Sequence, residues 1–245
     1  MASIKISIII PCYNAEKWIE QSVNSALRQT HEDIEIIVVD NESEDNSLGI
    51  LKEKFGHNGK VVIDTAENIY KYSWEEPVCK ALEYATGEYF TILGADDFIS
   101  DTYIENVANI LKKSKGKIQV LQSPIRGVDE TGQRNMGDIS HSYRSLKEFK
   151  KELFEKCPVT TPSVVYKTSL YKEGVVRWKS EDFLGTVDYD IYFNIADNDI
   201  FIYPYPKWLG YFYRWHKDQA TWGMQQEPTD YDKKVKDYWR EKWEI

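Results

Sequence analysis

Residues 5–14 read KISIIIPCYN, and this stretch decides the fold class. The run Lys5–Ile10 is almost continuously apolar, which is typical of a strand buried on both faces of a parallel sheet. Pro11 ends the run, and Asn14 has the position of a helix cap. Apolar residues then recur with helical spacing at Ile19, Val23, Ala26 and Leu27. We therefore predict a buried strand followed by an amphipathic helix.

The same alternation continues for about 120 residues. Asp101 is predicted to cap one of the helices, and Gly87 to end another in a left-handed turn. Because strands alternate with helices, the fold class is α/β, with a mostly parallel central sheet flanked by helices. Asp40 and the pair Asp96–Asp97 follow strands, at the edge where open α/β sheets bind ligands. The further strands are predicted at 34–39, 60–64, 89–93 and 118–122.

The second half of the chain is less regular. A hairpin turn is predicted at 128–133, and Ser145 opens a helix to about residue 156 with a capping box. Residues 136–143 are polar and predict a mobile loop. We expect one domain over 1–245, with a nucleotide- and metal-binding half at 1–123 and an acceptor-binding half at 124–245. Further strands are predicted at 159–166, 200–205 and 209–215, and further helices at 188–197 and 231–245.

Composition excludes several classes of protein. The formal net charge is -9, which argues against a nucleic-acid-binding protein, because such proteins need a basic surface. The three cysteines are too few and too widely spaced for a disulfide framework. The first apolar run is far shorter than a membrane span of about 20 residues, so we predict a cytoplasmic protein. The C-terminal tract Lys233–Trp243 mixes basic and aromatic residues, and suits either a solvated helix or peripheral contact with a membrane.

Five motifs in order connect the chain to a known family. They are SIIIPCYN at 7–14, IVVDNESEDNS at 37–47, ATGEY at 85–89 leading to LGADD at 93–97, VDYD at 187–190 and YRWH at 213–216. Together they resemble the inverting family 2 glycosyltransferases of the GT-A fold, well over residues 4–112 and loosely over 158–222. The resemblance implies a nucleotide-diphosphate sugar as donor, usually linked to UDP, and a carbohydrate or lipid-linked glycan as acceptor.

The resemblance also implies a metal site. In the family, an Asp-x-Asp motif holds Mn²⁺ or Mg²⁺, and hard oxygen ligands suit both cations. Asp96 matches the acid that binds the metal, and Asp97 matches the trailing acid, which we assign to donor binding together with Asp96. Gly94 replaces the first acid. His216, in the family's Arg-x-His motif, is expected to bind the metal or the diphosphate.

Other matched residues are expected to bind the donor. Asp40 matches the acid that accepts a hydrogen bond from the base, although it also has the position of a helix cap. Arg214 is expected to pair with phosphate through its planar guanidinium. The family's Arg-Asn pair in the third helix is absent, because Val78 and Cys79 occupy its place. Candidates to replace it are Trp74, Glu75, Glu76 and Lys80, and Pro11, Tyr13 and Asn14 are expected to surround the nucleotide.

An inverting transfer needs a base that removes the proton of the acceptor hydroxyl. Asp188 matches the family's base, although the preceding Glu is missing and Glu181 and Asp182 are rivals. An alternative role for Asp188 is that of an acid favoured at a helix start. Trp222 is a candidate to lie over either substrate, with core packing as the alternative. The function predicted is sugar transfer in polysaccharide or glycan synthesis, and the alternative is a nucleotide-binding scaffold without turnover.

Overall fold

The computed structural model describes residues 3–224 and 226–245 of the chain. Its strands are β1 (Ile6–Cys12), β2 (Ile34–Asp40), β3 (Val61–Thr65), β4 (Tyr89–Ile92), β5 (Phe98–Ile99), β6 (Val120–Gln122), β7 (Ile125–Val128), β8 (Asn135–Ile139), β9 (Val165–Lys167), β10 (Ile202–Pro204) and β11 (Tyr211–Arg214). Its α-helices are α1 (Ile19–Leu27), α2 (Ser47–Phe55), α3 (Glu75–Tyr84), α4 (Tyr103–Ser114), α5 (Leu146–Glu155), α6 (Ser169–Lys172), α7 (Ser180–Phe183), α8 (Val187–Asp197), α9 (Ala220–Met224) and α10 (Tyr231–Trp243).

The central sheet has seven strands in the order β10-β6-β9-β4-β1-β2-β3. Neighbouring strands run parallel from β4 to β3, and Ile8 of β1 lies opposite Ile36 of β2. Strand β9 is antiparallel to both of its neighbours, β4 and β6. The mostly parallel α/β sheet predicted from the sequence is therefore confirmed.

Both faces of the sheet are covered, which explains the continuous apolar run of β1. Ile8 and Ile10 pack on one face in a cluster with α1, α2 and α4. Ile9 points to the other face, into a cluster with α3, α5, α8 and α10. Because side chains alternate along a strand, a strand covered on both faces needs apolar residues at successive positions.

A second sheet of four strands has the order β5-β11-β7-β8. Strands β7 and β8 form the predicted hairpin, with a turn closed by the Gly132 N–H and the Asp129 carbonyl. The mobile loop predicted at 136–143 is wrong at its start, because β8 extends to Ile139 and pairs along β7. Polar residues form a strand here because β8 is an exposed edge and needs no apolar face.

The structure corrects several local predictions about strand bounds, helix caps and a glycine. Residues 159–166 do not form one strand: Thr161–Ser163 is a 3₁₀ turn, and β9 begins only at Val165. Asn14 and Asp101 are not helix caps, since α1 and α4 begin later without a side-chain cap. Gly87 does not adopt a left-handed conformation; a side chain there would lie 2.7 Å from the backbone nitrogen of Ser7.

The C-terminal helix α10 directs its tryptophans toward the protein. Trp239 is fully buried and stacks on Phe193 of α8, and Trp243 contacts both. These rings are packed on the core of the protein and do not form an exposed aromatic face. Across 3–224 and 226–245, every helix is too short or too polar to cross a membrane.

Candidate active site

A cavity of about 1110 Å³ opens at the carboxyl ends of β1, β2 and β4. One wall consists of the residues that follow these strands: 11–15, Asn41 and 94–97. The rest of the wall combines residues 160–162, the start of α8 and the segment 215–224. Residues of both halves of the chain therefore meet at one cavity, although the boundary proposed at 123/124 and the single-domain organisation remain predictions.

Asp40 is the last residue of β2. Its side chain is almost completely buried, and Oδ1 accepts a hydrogen bond of 3.0 Å from the Ser43 N–H. Oδ2 is buried without a hydrogen-bond partner in the described part of the chain. Asp40 does not line the cavity, whereas its neighbour Asn41 does, with an equally unpartnered buried Oδ1. Asn41 is a candidate that our motif comparison missed, although it directly follows the strand.

The residues after β1 form the rim beside Asn41. Pro11, Tyr13 and Asn14 all line the cavity, as expected, and the Tyr13 side chain is largely exposed. Asn14 has a positive φ of 48°, and its Oδ1 accepts a hydrogen bond from the Glu44 N–H. Asn14 thus joins the loops after β1 and β2. Its side-chain oxygen is bonded there, and α1 begins only at Ile19, so Asn14 does not cap this helix.

Asp96 and His216 form the centre of the cavity. Asp96 Oδ2 lies 2.8 Å from Nε2 of His216, and the His216 ring packs on Trp18 at 4.2 Å between ring centres. Nδ1 of His216 is buried without a partner among the described residues. The structure brings these two residues together although 120 positions separate them, and their assignment to a metal stays a prediction.

Asp97 and Arg214 have other roles than we expected. Arg214 is 1% exposed and does not line the cavity. Its guanidinium donates to the carbonyls of Asp96 and Glu130 and to Oε1 of Gln21, each at 2.6 Å. With these donors in use, Arg214 is not placed to bind phosphate; it holds the backbone of Asp96.

The Asp97 side chain is also fully engaged. It accepts hydrogen bonds of 2.8 Å from the Tyr211 hydroxyl and from the backbone N–H of Arg214. Burial and the neighbouring Asp96 carboxylate raise the pKa of Asp97 above its ordinary value. The donor-binding role expected for Asp97 is therefore replaced by a structural one, which anchors the 94–97 turn to β11.

The Asp96 and Asp97 carboxylates occupy the space beside Gly94, the position where the family motif has its first acid. A Cβ atom at Gly94 would lie 2.8 Å from Asp96 Oδ1 and 2.8 Å from Asp97 Oδ2. These distances are shorter than real Cβ contacts, so a side chain at Gly94 would require the two carboxylates to shift. The motif of this chain is built around a glycine.

Asp188 lies in the first turn of α8 and faces the cavity. Its Oδ2 accepts a 2.7 Å hydrogen bond from the Thr161 hydroxyl, and Oδ1 accepts from the Tyr189 N–H. Burial raises the pKa of Asp188 above its ordinary value, and Asp232 adds to this effect, whereas the Thr161 hydrogen bond opposes it. The rivals Glu181 and Asp182 are exposed and do not line the cavity.

The replacements suggested for the missing Arg-Asn pair divide into two groups. Trp74 lines the cavity. Glu75 accepts a hydrogen bond from the Ser180 N–H, and Glu76 accepts one from the Tyr70 N–H. Lys80 pairs with Glu83 and Asp64. These three side chains are bonded within the protein and do not line the cavity. The lysines of the cavity wall are instead Lys71 and Lys217, which motif reasoning missed because neither belongs to a motif.

The Trp222 side chain is packed against the protein and also lines the cavity. Its indole N–H donates to the His216 carbonyl, and the ring lies against Trp215. The side chain is 38% exposed and lines the cavity above His216. Packing therefore holds this ring at the cavity wall, where it remains accessible.

Comparison with known proteins identifies the family. The profile of glycosyl transferase family 2 matches residues 7–177, which is more than half of the sequence. The chain belongs to glycosyl transferase family 2. The match includes Asp40 and Asp96, but it ends before Asp188 and His216.

Two relatives show how the chain compares in length. An uncharacterized glycosyltransferase of Rickettsia felis is 30% identical in an alignment 202 residues long, which covers 78% of this chain and 31% of the relative. A poly(ribitol-phosphate) beta-glucosyltransferase of Bacillus spizizenii is 31% identical in an alignment 180 residues long, which covers 71% of this chain and 27% of the relative. The chain thus spans about a third of the length of these relatives.

Solved structures share the GT-A fold. Staphylococcus aureus TarS in complex with UDP-GlcNAc superposes with a TM-score of 0.70 at 20% identity, over 92% of this chain and 62% of that chain. The Pyrobaculum calidifontis mannosyltransferase PcManGT, in complex with GDP-Man and Mn²⁺, gives a TM-score of 0.65 at 16% identity, over 92% and 61%. The fold class predicted from the sequence is confirmed.

Proposed function

We propose that this glycosyltransferase moves a sugar from a nucleoside-diphosphate donor to an acceptor hydroxyl with inversion at the anomeric carbon. The observation that carries the proposal is the meeting of the Asp96–His216 pair and Asp188 at one cavity, although they belong to distant parts of the chain. A cavity with separated polar groups on a largely apolar wall suits a substrate with two chemically different ends.

UDP is the proposed donor nucleotide. Asn41 offers an unpartnered oxygen at the cavity wall, and Asp40, the preceding residue, has a second one that is buried. An amide oxygen is a hydrogen-bond acceptor, so Asn41 suits a base that presents an N–H group, as uracil does. The UDP-GlcNAc complex of TarS supports the same nucleotide, and an exposed Tyr13 is placed to cover a ring bound there.

The residues present also fit a divalent cation. Asp96 supplies a hard carboxylate oxygen, which suits Mn²⁺ or Mg²⁺. His216 supplies an imidazole nitrogen beside it as a second candidate ligand. The described residues contain no group of three or more His, Cys, Asp or Glu that could enclose a metal, so diphosphate oxygens and water would complete the ligand set. A bound cation would supply positive charge next to the diphosphate leaving group. The Mn²⁺ complex of PcManGT supports this choice.

Lys217 is the second source of positive charge in this proposal. It directly follows His216, is exposed and lines the cavity. Lys71, the other lysine at the wall, forms a salt bridge with Glu227 and lies over the ring of Tyr72. With Arg214 buried, we assign the contact with the diphosphate to Lys217.

Asp188 is the proposed base. Its carboxylate accepts the proton of the acceptor hydroxyl while that oxygen forms a bond to the anomeric carbon. The bond from the anomeric carbon to the diphosphate oxygen breaks in the same step, and the electron pair leaves with the nucleoside diphosphate. One direct displacement of this kind inverts the configuration of the sugar. The raised pKa of Asp188 makes it a stronger base than an exposed aspartate.

The proposed biological setting draws on the names of relatives. One is named a poly(ribitol-phosphate) beta-glucosyltransferase and another a minor teichoic acid biosynthesis protein of Bacillus subtilis. We propose a hexosyl transfer in the synthesis of a surface polysaccharide or related glycan, on a lipid-linked or free acceptor at the cytoplasmic side of the membrane.

A nucleotide panel tests the donor and the metal together. Thermal unfolding is followed with UDP, GDP and their sugars, in the presence of Mn²⁺ or EDTA, for the wild type and Asp96→Asn. We expect UDP compounds to stabilise the wild type with Mn²⁺, and this stabilisation to be lost with EDTA and in Asp96→Asn. Asp101→Asn, an exposed change beyond β5 and outside the cavity, is the control. If no nucleotide shifts the unfolding temperature, the donor site is wrong.

The same samples separate the enzyme from a scaffold. Release of UDP from the stabilising UDP-sugar, with or without an added acceptor, is the activity expected of a transferase. Nucleotide binding without any release would favour the alternative of a scaffold that has lost turnover. That alternative is supported by the missing first acid at Gly94 and the missing Arg-Asn pair.

A further inference from the structure

The first turn of α10 contributes a carboxylate to the Asp188 end of the cavity. Asp232 lies in this turn and lines the cavity. The helix is fixed relative to α8, because the indole N–H of Trp239 donates a 2.7 Å hydrogen bond to the buried Asp190. Asp190 is also paired with Arg177 at 2.6 Å, so α10 and the helix that carries Asp188 form one unit.

Asp232 is the carboxylate of the cavity wall that lacks a protein partner. Asp96, Asp97 and Asp188 each accept hydrogen bonds, and Asp218 forms a salt bridge with Lys17. Within residues 3–224 and 226–245, the Asp232 side chain has neither a hydrogen bond nor a salt bridge. Asp232 is an exposed residue, so its carboxylate is open to the solvent of the cavity and can be reached by a ligand bound there.

Asp232 and Asp188 line the same cavity, on two helices that the Trp239–Asp190 hydrogen bond joins. The charge of Asp232 adds to burial in raising the pKa of Asp188, and it acts in the same direction on Cys157 and Tyr189, which line this end of the cavity. Lys236 is the nearby cation, but its Nζ donates to the Glu155 carbonyl and it does not line the cavity. The wall here therefore presents two carboxylates without a cation between them.

We propose that Asp232 is an acceptor-binding residue, which accepts a hydrogen bond from a second hydroxyl of the acceptor while Asp188 takes the proton of the reacting one. This inference rests on the proposed function and deepens it. It assigns the acceptor group at this end to an uncharged sugar or polyol that has at least two neighbouring hydroxyl groups. A free carboxylate is a strong acceptor for hydroxyl donors, and hydrogen bonds to charged groups are stronger than neutral ones.

The same geometry disfavours a phosphate next to the reacting hydroxyl. A phosphate at this end would face Asp188 and Asp232 in a partly buried site, where like charges repel more strongly than in water. The lysines of the wall do not offset this: Lys71 is paired with Glu227, and Lys217 follows His216 at the donor end. The chain should therefore prefer neutral acceptors over acceptors that carry a phosphate next to the reacting hydroxyl.

Acceptor binding to the 245-residue chain saturated with UDP and Mn²⁺ tests this inference. The probes are 4-nitrophenyl glycosides of glucose, galactose and N-acetylglucosamine, and ribitol 5-phosphate, with Kd measured by saturation-transfer NMR. We expect at least one glycoside to bind, and ribitol 5-phosphate to bind about tenfold more weakly. Asp232→Ala should weaken glycoside binding by about tenfold or more, the loss typical of a charged hydrogen bond.

Two further variants keep the test independent of folding. Asp232→Asn retains one acceptor oxygen without the charge, so it should recover part of the glycoside affinity and bind ribitol 5-phosphate more tightly than the wild type. Asp237→Ala removes an exposed carboxylate of the same helix, outside the cavity, and should change neither Kd. Thermal unfolding confirms that each variant is folded.

The outcomes separate this inference from the proposed function. Wild-type glycoside affinity in Asp232→Ala, or tighter binding of ribitol 5-phosphate than of every glycoside, overturns the inference. Binding of UDP to the wild type without binding of any glycoside also overturns it and leaves the donor site standing. A wild type that does not bind UDP would overturn both proposals.

Discussion

The Asp188 carboxylate is held by two donors of different strength and origin. The Tyr189 N–H belongs to the same helix turn and is present whatever the side chains are, whereas the Thr161 hydroxyl comes from a separate 3₁₀ turn. A hydrogen bond to a carboxylate stabilises its ionised form. Thr161 therefore positions the proposed base and moderates the effect of burial on its pKa.

Replacing Thr161 with valine tests this role. Thr161→Val keeps the shape and removes the donor, so the pKa of Asp188 should rise further above its ordinary value. A base works when it is deprotonated, so the acid limb of the pH–rate profile for UDP-sugar turnover should move to higher pH. Thr65→Val, on the exposed end of β3, is the control. An acid limb at the same pH in Thr161→Val and wild type would contradict the role given to Thr161.

Gly94 offers a second test at the scale of one residue. Gly94→Asp restores the acid of the family motif, yet its Cβ would lie 2.8 Å from Asp96 Oδ1 and Asp97 Oδ2. We expect lower thermal stability and weaker Mn²⁺-dependent UDP binding, because overpacking costs about 1–3 kcal/mol and moves both carboxylates. Gly94→Ala should show most of the loss in stability, since the conflict begins at Cβ. A Gly94→Asp protein with wild-type stability and tighter metal binding would show that the turn has room for the acid.

Among the elements, α10 depends on one buried ring. Trp239 stacks on Phe193 and donates to Asp190, which is completely buried. Trp239→Phe should keep the stacking and leave an oxygen of Asp190 without its donor, at a cost of about 1–3 kcal/mol. Trp239→Ala should cost about 3–5 kcal/mol, because a large cavity is added. Urea unfolding measures both; equal stability of Trp239→Phe and wild type would mean that the hydrogen bond contributes nothing.

Glu35 of β2 connects the start of β1 to the turn before β4 and gives the fold a pH dependence. It accepts hydrogen bonds from Ser7 of β1 and from the Thr86 and Gly87 N–H groups before β4, and it pairs with Lys5. Burial alone would raise the pKa of Glu35, but these bonds outweigh it and lower the pKa to about 2, from an ordinary value of 4.5.

The sign of this shift defines the expected result for Glu35→Gln. A carboxyl whose pKa is lowered by folding stabilises the fold fully above about pH 4.5, and loses this contribution as the pH falls toward about 2. The wild type should therefore lose about 2–3 kcal/mol over this window through Glu35, and Glu35→Gln should lose that much less. Urea unfolding at several pH values measures the difference. Parallel pH curves for the two proteins would contradict the role given to Glu35.

Prediction from sequence succeeded where structure depends on local pattern. The apolar runs of β1, β2 and β4 predicted the sheet, because successive apolar residues in a short run suit a strand that is buried on both faces. Prediction failed on the extent of β9: residues 159–166 were predicted as one strand, but Thr161–Ser163 is a 3₁₀ turn and only the end of this segment pairs with β4 and β6. The helix caps failed for a related reason, since Asn14 bonds to Glu44 across the loops.

The candidate site shows the same division. Asp96, His216 and Asp188, which were proposed because each lies in a motif, all line the cavity, whereas their roles stay predictions. Arg214 also lies in a motif, but its partners Glu130 and Gln21 come from unrelated segments, so its burial was not predictable. Asn41 and Asp232 were missed because each is an ordinary polar residue whose importance appears only when its oxygen is seen without a partner at a cavity wall.

At the scale of the whole molecule, the charge balance and the cavity have to be considered together. The chain carries a formal charge of -9, and a nucleoside-diphosphate sugar is also anionic. Part of this negative charge lies in the cavity wall, at residues that include Asp96, Asp188 and Asp232. Binding of the donor therefore needs local positive charge, which we assign to a divalent cation at Asp96 and His216 and to Lys217. The remaining carboxylates are then left for the acceptor and its proton.

The most direct test of this division is one measurement on Asp188→Asn, which keeps the shape of the side chain and removes its basicity. UDP-sugar turnover and UDP affinity are measured on the same preparation with Mn²⁺. We predict that turnover falls by about 10²–10⁴-fold, the usual contribution of a general base, while UDP binds with wild-type affinity. Unchanged turnover would contradict the proposed mechanism, because Asp188 would then not be the base at this cavity.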